Sequence, residues 1–229
     1  MGGLTVQEWQ AVELSLRVSA VATLCSLPFG IAVAHLLARR EFRGKALVDG
    51  LVHLPLILPP IVTGYLLLLT FGRRGPVGAL LEKVGIVFAF HWTGAALAAA
   101  VMAFPLMVRA IRLSIEAIDP GLEAAASTLG ASPRRVFLTV TLPLALPGIL
   151  AGAVLAFAKA MGEFGATITF VSNIPGQTQT LPSAIYSLLQ VPGAEPQAFR
   201  LIMISILLAV GAILLSEVLA ARLRKARLT

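Results

Sequence analysis

Apolar residues in this chain come in long, nearly unbroken runs rather than in short alternating segments. The hydrocarbon core of a bilayer is about 30 Å thick, so a helix needs about 20 consecutive apolar residues to cross it. Five runs meet that length: 14–38 (LSLRVSAVATLCSLPFGIAVAHLLA), 46–70, 90–109, 142–161 (LPLALPGILAGAVLAFAKAM) and 199–220. A further apolar piece, 181–191, is too short to cross and reads as a short external helix lying on one face or dipping into it. The pattern predicts an all-α polytopic membrane protein, a five-span helical bundle in a single domain over 1–229. Pro28, Pro55, Pro59, Pro60, Pro105 and Pro147 fall within or near the runs. A proline frees a carbonyl that only a neighbouring group can satisfy in lipid, so the bundle should be bent and closely packed.

Composition agrees with the pattern. The chain of 229 residues is 58% hydrophobic and 13% charged, about half the charge of a soluble domain. Eighteen Lys and Arg against 11 Asp and Glu leave a net charge of +7. Beside membrane spans such an excess is a topology signal, and nucleic acid is not an expected partner. Arg39, Arg40, Arg43, Lys45, Arg109, Arg112, Arg134, Arg135, Arg222, Arg224, Lys225 and Arg227 share one side if there are five crossings. The positive-inside rule then puts the N-terminus outside and the C-terminus in the cytoplasm. The Arg73-Arg74 pair in the opposite loop is a mild exception. The opening MGGLTVQEWQ has no basic n-region, which argues against a cleaved signal peptide. Trp9 and Trp92 suit the ends of spans.

One polar interlude, about 113–141, is longer than the usual helix–helix link of about 2–8 residues. Asp119-Pro120 carries a helix-start signal, an N-cap acceptor followed by a residue preset for the first turn. Gly130 permits a C-cap or sharp turn. Ser132-Pro133 repeats the start signal, and Pro143 marks entry to the fourth run. The expectation is two short helices hinged at Gly130, the first offering Ala124 and Ala125, the second Arg134 and Arg135. Such a loop either packs beneath the bundle or docks a soluble partner.

Few polar residues sit at membrane depth. Lys159 and Glu163 are four apart, a spacing that allows pairing on one helix face. They serve either as an ion pair holding the bundle or as part of a gate or pore. Hydroxyls at bends, Thr63, Thr167 and Thr169, are candidates for lining a path. The lone Cys25 excludes an internal disulfide, and His35, His53 and His91 share no metal-ligand spacing. No nucleophile–base arrangement and no phosphate-binding G-x-x-x-x-G-K-[ST] motif is present, so neither catalysis nor a resident metal or cofactor is expected.

The interlude contains Glu123, Ala124 and Ala125, then Gly130, and closes on Leu142 and Pro143. This resembles the cytoplasmic EAA loop of membrane subunits of binding-protein-dependent ABC importers. EWQAVELSLRVS, LPLILPPIVTGYLLL, FPLMVRAIRLSIE and GEFGATITFVSNIPG extend the resemblance over nearly the whole chain, to the molybdate permease family. Sulfate, thiosulfate and tungstate permeases are related. The resemblance implies the type I importer permease fold and a homodimer in the inner membrane. It also implies two separate ATPase subunits that bind ATP and magnesium, and an external or periplasmic oxyanion-binding protein. The loop, with Glu123, Ala124, Ala125, Gly130, Arg134 and Arg135, would be the coupling element. The family usually has arginine where this chain has Lys159, which keeps the charge and loses a planar fork of donors.

Overall fold

The computed structural model describes residues 4–226. Among them every regular element is helical: α1 (Val6–Arg39), α2 (Lys45–Ile57), α3 (Pro60–Phe71), α4 (Gly78–Glu82), α5 (Trp92–Glu116), α6 (Pro120–Thr128), α7 (Pro133–Val136), α8 (Leu142–Met161), α9 (Gly165–Val171), α10 (Leu181–Leu188) and α11 (Glu195–Ala226). A π-helical turn, Phe137–Thr141, joins α7 to α8. The side chains of Arg222, Arg224 and Lys225, and all of Arg227, lie outside the described residues.

The centre of the bundle is α5. Ala95, Ala98, Ala99, Met107, Val108 and Ile111 on it are fully buried. α1 and α8 pack along it, and the alanines let their backbones come close. Gly148 and Gly152 on α8 mark the tightest approach. A Cβ at Gly148 would collide with Ser114, and one at Gly152 would lie 3.0 Å from Ile111 and from the Met107 carbonyl. α11 lies on the outside of the bundle against α8 and α10, with Phe199, Leu207, Ile213 and Leu214 exposed. Such a rim of large apolar side chains suits lipid or another protein surface rather than water.

Among the described residues four helices are long and apolar enough to cross a membrane: Val6–Arg39, Trp92–Glu116, Pro133–Met161 and Glu195–Leu214. The run at 46–70 differs from the straight span its length suggests. It is two helices, α2 and α3, meeting at 114°. Leu58 is extended ahead of Pro59, and Pro60 opens α3. A residue before proline is pushed out of the α region, and the second proline restarts the helix at its first turn. At 13 and 12 residues, each half is only about 19 Å long, so this segment is a broken span or a re-entrant one.

Boundaries also move. α1 begins at Val6, eight residues ahead of the apolar run, because Thr5 and Glu8 form a reciprocal capping box. The interlude differs more. A separate second helix ending before Pro143 is not present. Pro133–Met161 is one continuous rod through the π turn. Pro143 has no N–H and its ring crowds the carbonyl four residues back. The widened turn just ahead of it, in which the Leu142 N–H donates to the Phe137 carbonyl, carries the helix past. The short 181–191 piece is α10, buried through Leu181, Ser183 and Ala184.

Candidate functional site

The interlude builds one exposed helix on a rigid base. Asp119 caps α6, its carboxylate accepting from the Gly121 N–H at 2.8 Å. α6 ends in paired reverse bonds: the Gly130 N–H donates to Ser127 O at 3.0 Å and the Ala131 N–H to Ala126 O at 3.2 Å. This Schellman ending needs a left-handed residue, and Gly130 supplies it at φ +83. Ser132 precedes Pro133 as the sequence suggests, but its hydroxyl makes no capping bond.

The faces of α6 divide sharply. Leu122, Ala124, Ala125 and Leu129 are exposed, Leu129 at 89%. Leu122, Ala125 and Leu129 recur at helical spacing, so they form an apolar stripe pointing away from the bundle. Glu123 points the other way. Its carboxylate accepts from Arg39 Nε at 3.1 Å and from the Thr141 hydroxyl at 2.7 Å. Arg39 also donates to the Ile118 carbonyl at 2.9 Å. Arg134 and Arg135 are exposed on α7, beside the same loop. His35 lies at this end too, its ring edge-on to Phe137 at 4.7 Å between centroids. A polar-lined recess of about 340 Å³ runs between His35, Arg39, Arg40, Glu123, Ser127 and Thr141.

At the far end of α8, Lys159 donates to Glu163 at 2.8 Å. The helix stops at Met161, and Glu163 pairs from two residues past its end at the expected spacing of four. It is 2% exposed and also accepts from the Ala166 N–H at 3.0 Å. It therefore holds Lys159 and a free amide at the start of α9 at once. Lys159 stays partly open, at 31%.

The start of α9 meets the start of α3. A Cβ at Gly64 would lie 2.5 Å from Ala166 O and 2.9 Å from Thr169 Cβ, and one at Gly165 would lie 2.8 Å from Pro60 Cβ. Thr63, Glu163, Thr167 and Thr169 are thus all carried by this junction. Their hydroxyls differ. Thr167 donates to Phe164 O and Thr169 to Gly165 O, both at 2.8 Å within their own turns. The buried Thr63 hydroxyl has no partner among the described residues.

Besides Arg39–Glu123, sequence reasoning missed further pairings. Glu8, buried at 5%, pairs with Arg200 at 2.8 Å and ties α1 to α11. Arg112 binds Asp49 at 3.1 Å and Glu116 at 2.7 Å, tying α2 to α5. The Arg17 guanidinium stacks on Trp92, 3.8 Å from the ring centroid. Of these contacts only Arg112–Glu116, four apart on α5, had a local signal. Among the described residues no three His, Cys, Asp or Glu side chains converge on a point that would hold a metal.

Long apolar helices around α5, a bent pair of half-length helices and a capped helix presented at one end define a polytopic membrane protein. The match to the family of binding-protein-dependent transport system inner membrane components covers residues 26–225. The chain is 64% identical to the molybdenum transport system permease protein ModB of Escherichia coli K12, over 95% of both chains. It is 58% identical to ModB of Haemophilus influenzae, over 95% of this chain and 96% of that one. The sulfate transport system permease CysW of Synechococcus elongatus is 39% identical, over 80% of this chain and 63% of its own length. Among solved structures, a bacterial ABC transporter that imports the acidic polysaccharide alginate superposes with a TM-score of 0.76. It covers 95% of this chain and 80% of its own at 18% identity, a likeness of fold. The chain belongs to the binding-protein-dependent transport permeases, and its fold is that of the type I ABC importer permeases.

Proposed function

We propose that this chain is the membrane permease of a molybdate importer. The carrying observation is the 64% identity to a molybdenum permease along 95% of both chains. A sulfate permease is the second reading, supported by the 39% relative, which covers less of each chain. Tungstate and thiosulfate are further tetrahedral or near-tetrahedral dianions that the same path would admit.

Two copies of the chain form the path in the inner membrane, with the N-terminus outside and the C-terminus in the cytoplasm. The exposed stripe Leu122, Ala125 and Leu129 on α6 lies in a groove of a separate ATPase subunit, one per copy. Arg134 and Arg135 flank that contact. ATP and magnesium are bound by those ATPase subunits, and catalysis is theirs. An external binding protein delivers the oxyanion. The junction of α3 and α9 is the gate region. Glu163 neutralises Lys159 there, so no bare cation holds a dianion too tightly to release it. Thr63 offers a hydroxyl that has no partner among the described residues.

Exchange of this chain for the permease of Escherichia coli, with that organism's ATPase and binding protein kept, tests the reading. Molybdate uptake at limiting concentration should be restored. An inserted, ATPase-bound chain that imports no molybdate would reject it.

A further inference from the structure

The helix α3 ends in a turn that only glycines can make. A Cβ at Gly75 would collide with the Leu69 carbonyl, and one at Gly78 with the Gly72 carbonyl. The Gly75 N–H donates to Gly72 O at 2.8 Å and the Val77 N–H to Thr70 O at 3.1 Å. Arg73 and Arg74 are thrown outward from this fixed base, both exposed. Arg73 Nε stands 3.8 Å from Glu82, too far for a hydrogen bond. Arg74 pairs with no carboxylate among the described residues. The two arginines edge a cleft of about 360 Å³ whose other walls, Leu68, Leu69, Ala89 and Phe90, are apolar. Phe90 is held in the left-handed region at φ +59, which is rare for an aromatic residue, and stays 54% exposed. Its burial therefore does not account for the strain. Leu66, one turn back from Leu69 on α3, is exposed as well, so the apolar wall continues along the helix.

We propose that Arg73, Arg74 and the adjoining cleft bind one anionic phospholipid, its phosphate on the arginines and an acyl chain against Leu68, Leu69 and Phe90. The chemistry is complementary at both ends. A guanidinium matches a phosphate with two parallel hydrogen bonds, and the apolar walls leave water only when an acyl chain covers them. A free oxyanion would use the arginines and leave those walls wet. In the proposed orientation the pair lies on the side of the membrane where basic residues are disfavoured, and a lipid phosphate neutralises it there. The bound lipid would fix the end of α3 opposite its contact with α9. The site is independent of which anion the permease carries.

The test uses the full chain in nanodiscs of equal phosphatidylglycerol and phosphatidylcholine. Lipids still bound after transfer to detergent are counted by native mass spectrometry. The wild-type chain should retain phosphatidylglycerol in preference. Arg73→Gln with Arg74→Gln should lower that preference by about 30-fold, about fivefold for each arginine near a lipid phosphate. Arg134→Gln with Arg135→Gln removes the same charge elsewhere and should leave the preference in place. An equal fall in both double variants, or no fall in the first, overturns the site. Phe90→Gly removes one wall and relieves the left-handed backbone. It should lower lipid retention without lowering the thermal unfolding temperature in lipid-free detergent; retention at the wild-type level overturns the cleft as part of the site. Inorganic phosphate at millimolar concentration should leave the lipid bound. Its displacement by phosphate would assign the arginines to a free anion and overturn the proposal.

Discussion

At the scale of single residues, two buried polar groups separate holding the fold from moving solute. Glu163 is 2% exposed and binds Lys159 and the Ala166 amide. Breaking a buried pair leaves an uncompensated charge, whereas replacing both partners with apolar residues is often neutral. Glu163→Ala should destabilise the purified permease by about 2 kcal/mol, read from its thermal unfolding, with the charge of Lys159 partly relieved by its exposure. Lys159→Met with Glu163→Leu should recover stability but not uptake. Full uptake in that double variant would make the pair a structural element only. Thr63 is the converse case. Its hydroxyl has no partner among the described residues, so Thr63→Val should be neutral for stability or better. Uptake should nevertheless fall severalfold; unchanged uptake would remove Thr63 from the path.

At the scale of elements, the capped helix α6 was legible and its neighbour was not. Asp119, Pro120 and Gly130 act through bonds to residues within a few positions, so their pattern carries the structure directly. Gly130 at φ +83 has open space where a Cβ would stand. Gly130→Val therefore meets only the backbone cost of a left-handed residue, about 1–3 kcal/mol. It should uncouple ATP hydrolysis from uptake with the spans intact, and Gly130→Asn should be milder because Asn tolerates that region. Equal coupling in both would make the turn a mere connector. The direction of Glu123 was not legible, because Arg39 lies 84 positions away and no local spacing joins them. The continuity of Pro133–Met161 was hidden for a related reason. Ser132-Pro133 and Pro143 both look like breaks, yet one is the first turn of a helix and the other is passed by a π turn.

At the scale of the whole molecule, run length and composition were enough for an all-helical membrane bundle, and the quoted motifs for its family. They did not reveal the 114° corner between α2 and α3, since an apolar run has the same composition whether straight or folded back. Nor did they reveal the ionic ties Glu8–Arg200 and Asp49–Arg112, whose partners are far apart in sequence. These ties join the outer helices α11 and α2 to the α1–α5 centre, leaving α8 gripped chiefly by small-residue contacts at Gly148 and Gly152. Small-residue packing permits sliding that a network of ion pairs resists. Gly148→Val should block assembly or freeze the bundle, seen as lost uptake with unchanged membrane insertion.

Substrate identity bears most directly on the role of the molecule, and it is measured in one experiment. The permease is reconstituted with its ATPase and binding protein, and ATP-dependent uptake of labelled molybdate is competed with tungstate and sulfate. Uptake that requires all three components, that tungstate suppresses and that sulfate suppresses only in large excess, is the predicted result. Uptake of sulfate in preference to molybdate, or of neither, would contradict it.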